Sequence, residues 1–189
     1  MRKSAAIAII AAFAVGGSIG ALGWFAAGWT RQAIGASSGP VWTEVQWPFP
    51  LDQWGRGKAF QCNARDCGTE VNLYVRAKIG FCNCTTGVAD DEELERLSDF
   101  DLMGSQVAVL GAGRPITVAW MKGRSRAYAI AGPVRSGKSA LSVAFNDRCD
   151  AIVATAVVGN ERPAAIEPGV LAFLSGNTVL RWAEVTLGL

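Results

Sequence analysis

Apolar and polar residues alternate along much of the chain's second half. In GTEVNLYVRAKI, Val71, Leu73 and Val75 fall on one side, which is the period-two pattern of a half-buried strand. PITVAWM (115–121), RAYAIAG (126–132), ALSVAFN (140–146), AIVATAVV (151–158) and TVLRWAEVTL (178–187) read as further strands. Turn signals separate them: KGRS at 122–125, RSGK at 135–138 and GNERP at 159–163. DDEELERLSDF (90–100) reads instead as a helix, with acidic residues in the first turn where the helix dipole favours them. A second, shorter helix is predicted over Pro168–Leu174. The pattern predicts an α+β fold, mainly antiparallel β and sandwich-like, with one or two short helices.

The N-terminal region has a different pattern. Ala5–Trp29 is an uncharged run of about 25 residues, and about 20 cross a bilayer as a helix. The run is longer than the apolar region of a cleaved signal peptide, and no clear A-x-A site follows it. It is therefore predicted to be one transmembrane helix, an uncleaved signal anchor. Arg2 and Lys3 precede the span and only Arg31 follows closely. The positive-inside rule then places residues 1–4 in the cytoplasm and the main domain outside. Gly16 and Gly20 form a G-x-x-x-G pair, which lets another membrane helix pack closely.

Residues 30–50 read as a juxtamembrane linker rich in Trp and Pro, and 51–189 as a periplasmic β-rich domain. Pro48 and Pro50 exclude a helix in VWTEVQWPFP. Trp42, Trp47 and Phe49 either pack on their own domain or face the membrane or a partner, and they are carried as interface candidates.

Charge is segregated along the chain. Asp90–Asp101 holds seven acidic residues and one base, Arg96. Residues 102–146 hold six bases and no acid. One reading is a solvated acidic helix opposite a basic sheet edge. The other is a basic surface for anionic lipid or an acidic partner, with Lys122, Arg124 and Arg126 as interface candidates.

Cys62, Cys67, Cys82, Cys84 and Cys149 are disulfide candidates in an oxidising compartment. Cys82 and Cys84 are too close to bond each other without strain. The connectivity stays open, and Cys149 is either a buried free thiol or a member of the cluster. A rival reading gives the clustered cysteines to copper, zinc or thiol-redox chemistry. Its weakness is the spacing, which is neither that of a zinc ribbon nor a C-x-x-C.

The chain has no histidine. That excludes Ser-His-Asp and Cys-His catalysis, histidine-ligated metals and axial-histidine haem. No catalytic, cofactor-binding or metal-binding residue is assigned, and the chain is not expected to be an enzyme. GPVRSGKS (132–139) fits the phosphate-loop pattern at every fixed position. Such a loop needs a helix after it, whereas ALSVAFN reads as a strand. The motif is read as a basic turn, and neither nucleotide nor nucleic acid is expected to bind.

At GFCNCTTGVADDEELERLSDFDL and RPITVAWMKGRSRAYAI the chain resembles uncharacterised bacterial single-pass membrane proteins with an exported cysteine-containing domain. FNDRCDAIVATAV, followed by LAFLSGNTVLRWAEVTLGL, is similar to invasion-associated locus B proteins, which are small exported β-sandwich proteins. The second cysteine expected soon after Cys149 is absent from Ala151–Thr155. The resemblance implies an exported β domain. The resulting expectation is a single-pass protein of the bacterial inner membrane that acts as an accessory or assembly subunit beside other membrane subunits.

Overall fold

The computed structural model describes residues 39–80, 83–103, 106–131, 137–159 and 161–189. The chain divides into two units, Met1–Ala36 and Ser37–Leu189. The first carries the predicted anchor and the Gly16–Gly20 pair, and lies outside the described residues. Among the described residues no helix is long and apolar enough to cross a membrane.

The alternating stretches of the second unit form one antiparallel sheet. Its strands are β1 (Trp42–Val45), β2 (Lys58–Cys62), β3 (Val71–Lys78), β4 (Gln106–Val109), β5 (Arg114–Val118), β6 (Met121–Ala131), β7 (Lys138–Asp147) and β8 (Asp150–Val158). The spatial order is β1-β2-β3-β8-β7-β6-β4. The outer edge of β6 is shared, with β5 pairing Met121–Ser125 and β4 pairing Tyr128–Ala131. On an edge strand Pro115 costs no ladder bond.

The helices are α1 (Ala64–Cys67), α2 (Asp91–Leu97), α3 (Pro163–Leu174) and α4 (Asn177–Leu187). The α+β class and the dominance of antiparallel β are as expected. The sandwich is not found: among the described residues there is one sheet, covered by helices on both faces. The cause lies in β7 and β8, which are buried on both faces along nearly their whole length. Odd positions such as Leu141, Val143 and Phe145 join Phe60, Leu73, Val75 and Ile152 beneath α3 and α4. On the opposite face Ala144, Ala151 and Val153 are small, so α2 settles close with Leu94 and Leu97 fully buried.

Three local expectations are corrected. Residues 178–187 form α4, not a strand. Val179 and Ala183 are its buried positions, an i,i+4 pair, and the helix stops at Gly188, whose φ of 71° suits a helix C-terminus. The β-branched residues of this segment favour strands locally, but packing on the sheet overrides them. KGRS (122–125) lies inside β6, and the two-residue turn falls earlier, at Ala119–Trp120, with Ala119 at φ 53°. The helix predicted from Pro168 begins at Pro163. A first-turn proline loses no helical hydrogen bond, and the exposed Pro168 is absorbed within the helix. The segment read as a linker also contributes β1, which pairs with β2 from Trp42 opposite Cys62 to Val45 opposite Ala59.

Gly123 of β6 lies opposite Phe145 of β7, with no room for a side chain. A Cβ there would overlap the Ala144 carbonyl oxygen and the Phe145 backbone. Gly123→Ala is expected to lower stability by about 1–3 kcal/mol. Gly159→Ala, where nothing lies within 4 Å of the added atom, is expected to stay within about 0.5 kcal/mol. Thermal unfolding of the two variants beside the parent protein checks both.

Candidate functional site

Alternation along β6 places Lys122, Arg124, Arg126 and Tyr128 on one face of the sheet. On α2, Asp91 and Glu95 are four residues apart and so share a face. The two rows meet. Arg124 hydrogen-bonds Asp91, and Arg126 reaches Glu95 at 2.6 Å and Asp91 at 3.6 Å. Ser98, which ends α2, meets Ser142 of β7, Oγ to Oγ, at 2.6 Å. Asp99, one residue on, binds Arg76 and Lys78 of β3, with Lys78 at 2.9 Å. Asp52 adds a second carboxylate to Arg76 at 2.7 Å. The acidic run is thus a strap laid across the sheet from β6 to β3. Of the two readings of the charge blocks, neither a solvated helix nor a free basic surface describes Arg124 and Arg126: both are partly buried under carboxylates of their own chain.

The electrostatics follow the contacts. The Arg124 hydrogen bond, helped by the Gly113 N–H and by Arg126, holds the Asp91 carboxyl below its ordinary range. Burial opposes the charge on Asp52, but hydrogen bonds from Arg76 and from the Trp54 N–H outweigh it, and Asp52 is lowered too. Burial also opposes the Arg76 charge, yet its bonds to Asp99 and Asp52 raise its pKa. Tyr128 is pushed up to about 12 by burial, with Glu95 adding to the effect. On the other face Glu167 of α3 accepts from Ser125 and pairs with Arg114 at 2.5 Å.

The aromatic candidates are used internally. Trp42 stacks on Phe173 with ring centroids 4.8 Å apart. Trp47 is buried, and its ring meets Phe49 edge-on at 5.2 Å. Phe49 in turn packs edge-on against Tyr74 at 4.8 Å. The Arg76 guanidinium lies 6.0 Å from the Trp47 ring centre. Trp42, Trp47 and Phe49 therefore pack on their own domain.

Four cysteines form two disulfides, Cys62–Cys67 and Cys84–Cys149. Cys149 joins the cluster by bonding Cys84. Cys82 lies outside the described residues. Among the described residues no group of three or more metal-ligating side chains comes together. The phosphate-loop match is followed by a strand: Lys138 and Ser139 open β7, paired with Ile130 and Ala129 of β6. The Ser139 hydroxyl donates to the Glu161 carbonyl at 2.7 Å. Residues 132–136 lie outside the described residues.

Lys122 remains of the interface candidates. It is exposed, and among the described residues it meets no carboxylate. It borders a groove of about 470 Å³ between the β5–β6 hairpin and residues 86–89. Val88, Ile116 and Gly123 are among its lining, although the Ile116 side chain packs in the core beneath α3 and α4, and Thr86, Pro115 and Thr117 form its exposed rim. The loop that makes one wall is held by Asn146, whose side-chain oxygen accepts from the Val88 N–H at 3.0 Å. Gly87, at φ 61°, leaves room for that side chain. Sequence reasoning singled out Lys122 for its charge but missed the groove, which exists only where the loop after Cys84 meets the hairpin.

No protein-family model matches the chain, and no curated protein does. Among solved structures, the chain is similar to the solution structure of cyanobacterial PsbP (CyanoP) from Synechocystis sp. PCC 6803. The identity is 12% and the TM-score 0.40, over 66% of this chain and 71% of that one. So distant a likeness carries no functional argument.

Removing Asp99 leaves Arg76 and Lys78 short of a carboxylate where they are 3% and 5% exposed. Asp99→Ala is expected to cost about 3 kcal/mol. Glu44→Ala breaks the exposed pair with Lys58 and is expected to cost less than about 1 kcal/mol. Denaturant titration of the two variants measures the contrast.

The pH dependence follows from Asp91 and Asp52, whose carboxyls are held below the unfolded value of about 3.9. Between the folded and unfolded values the unfolded chain binds more protons. The pairs therefore stabilise fully above about pH 4, and that contribution is lost as pH falls through the lowered values. Denaturant midpoints measured down the acid range should decline there, and Asp91→Asn should flatten the decline. At the alkaline end Tyr128 should ionise at about 12, against about 10 for a free tyrosine. Phenolate absorbance reads this step, and Tyr128→Phe should remove it.

Proposed function

We propose that this chain is a membrane-anchored, exported structural or interaction protein, an accessory or assembly subunit of a larger complex in a bacterial inner membrane. The observation that carries the reading is the pair of disulfides, one of which joins residues 65 positions apart. Such bonds persist in oxidising compartments and are rare in the cytosol. The apolar N-terminal run supplies the anchor, with its preceding positive charges on the cytoplasmic side. The chemistry of the domain favours binding over turnover. Arg76, Lys78, Arg124 and Arg126 are engaged by Asp52, Asp91, Glu95 and Asp99, and so hold one another rather than a reacting group.

Of the rival readings, a carrier of copper or zinc needs free thiolates, whereas a thiol-redox protein rests as a disulfide in its oxidised state. Cys62, Cys67, Cys84 and Cys149 are instead bonded in pairs. Five cysteines and two disulfides leave one thiol. Thiol titration of protein isolated from membranes, denatured without reductant, is expected to count one. Three or more reactive thiols would favour the carrier.

A reporter active only outside the cytoplasm, fused at the C-terminus, is expected to be active; a silent one places the domain on the wrong side for this reading. Native mass analysis after detergent extraction is expected to find the chain with a partner. A lone monomer would sink the interaction role.

A further inference from the structure

The two disulfides sit in different surroundings. Cys62 is fully buried on β2, and Cys67, half-buried, packs against the core beneath α3 and α4. Cys84 is exposed, and Cys149 is half-buried. Cys149 stands with Arg148 in the tight turn between β7 and β8, where Asp147 pairs with Asp150 and Arg148 takes φ 52°. That hairpin is closed by its own ladder and does not need the sulfur bridge. On the Cys84 side, the hydrogen bonds of the loop are mostly internal. The Asn83 side chain accepts from the Thr85 and Thr86 N–H groups at 2.9 and 3.2 Å. The Gly87 N–H donates to the Asn83 carbonyl at 2.7 Å. One bond leaves the loop, from the Asn83 N–H to Glu93 at 3.2 Å. Side-chain burial in the body of the fold begins only at Val88, 4% exposed, beside Leu94, Leu97 and Ala151.

We infer that Cys84–Cys149 is a redox-sensitive bridge, opened by a dithiol reductant that attacks Cys84, and that its opening releases residues 83–87 while the sheet and α2 stay folded. Attack on a disulfide needs a thiolate that can reach one of its sulfurs, so access selects both the bond and the sulfur. Cys84 offers that access, whereas core packing shields Cys62–Cys67. Exposed disulfides are the labile ones as a class. One thiolate of the reductant bonds to the Cys84 sulfur, and the Cys84–Cys149 bond breaks. Its electron pair leaves on Cys149, which takes up a proton. The second thiolate of the reductant then attacks the mixed disulfide, and Cys84 leaves and is protonated in turn. The reductant ends as a disulfide, and the chain has gained two electrons and two protons. The opening is confined by what remains. The β7–β8 hairpin keeps its pairing, and Val88 keeps its cluster and its 3.0 Å bond to Asn146. Thr86 belongs to the released stretch, so the redox state also sets one edge of the groove beside Lys122.

The inference goes beyond the interaction role and depends on neither the anchor nor a partner subunit. The test uses the full chain in nanodiscs of neutral lipid, with any free thiol first blocked by light N-ethylmaleimide. Graded dithiothreitol is followed by heavy N-ethylmaleimide and peptide mass analysis. Cys84 and Cys149 are expected to take the heavy label at least about tenfold faster than Cys62 and Cys67. A thioredoxin whose second active-site cysteine is replaced by serine stops at the mixed disulfide, which should map to Cys84. Hydrogen exchange after reduction should speed up at Gly87 and stay slow at Leu94 and Ile152. The double variant Cys84→Ser/Cys149→Ser should show the same exchange pattern without reductant. Equal or reversed labelling of the two pairs overturns the proposal, as does a mixed disulfide on Cys149. Unchanged exchange at Gly87 overturns the release of the loop. Lost protection at Ile152, or a double variant that fails to fold, makes the bridge a staple of the whole domain and overturns the switch.

Discussion

Cations on an inner sheet face need carboxylates above them, and one side of this molecule is arranged to supply them. Arg76 and Lys78 lie on β3 beneath the strap, almost out of reach of water. An ion so placed costs several kcal/mol unless it is paired and hydrogen-bonded. Asp99 and Asp52 meet that requirement from two different segments. Asp99 reaches β3 only because α2 ends above β7, where Ser98 touches Ser142. That position in turn requires small side chains beneath the helix, which Ala144 and Ala151 provide. The location of α2, the course of residues 47–54 and the small residues of β7 and β8 are consequences of one electrostatic constraint.

The strap is held at several points. Its leading loop is bonded to the β7–β8 turn through Cys84–Cys149, and Asn146 accepts from Val88 beside it. Asp91 takes the Gly113 N–H at 3.0 Å, while Arg126 donates to the Gly111 carbonyl at 2.7 Å. The connection between β4 and β5 is thereby tied to the same ion pairs. The edge strands keep their own ladders to β6, and the ties to Gly111 and Gly113 join the β4–β5 connection to the strap.

This arrangement also shapes what the molecule presents outward. Basic residues that looked available for a partner are spent on the strap, and the aromatic residues near the start of the domain are spent on packing. Among the described residues the exposed features include the groove beside Lys122, the Trp120 turn and apolar side chains such as Leu51 and Val185.

Much of the fold was legible in the chain. Alternation identified β3, β7 and β8, and the acidic first turn identified α2. The helix at Pro168–Leu174 was legible too, though it starts five residues earlier because an N-terminal proline suits either start. Alternation misled at 178–187, where β-branched residues carry a strand preference that only packing on the sheet reverses. It also misplaced a turn at 122–125: polar residues in β6 look like a break when their counter-charges come from a helix thirty positions away. The acidic and basic blocks were plain in the sequence, but their mutual neutralisation was not, because charge pairing is set by distance in space. The phosphate-loop match shows the same limit from the other side, since the pattern was complete and the strand after it was decisive. By itself the sequence determined periodicity, charge blocks, the absence of histidine and the number of cysteines, all of which are local or compositional. Only the tertiary structure decided which cysteines pair and which cations of β3 and β6 are covered, because each of those depends on segments that meet through a shared sheet.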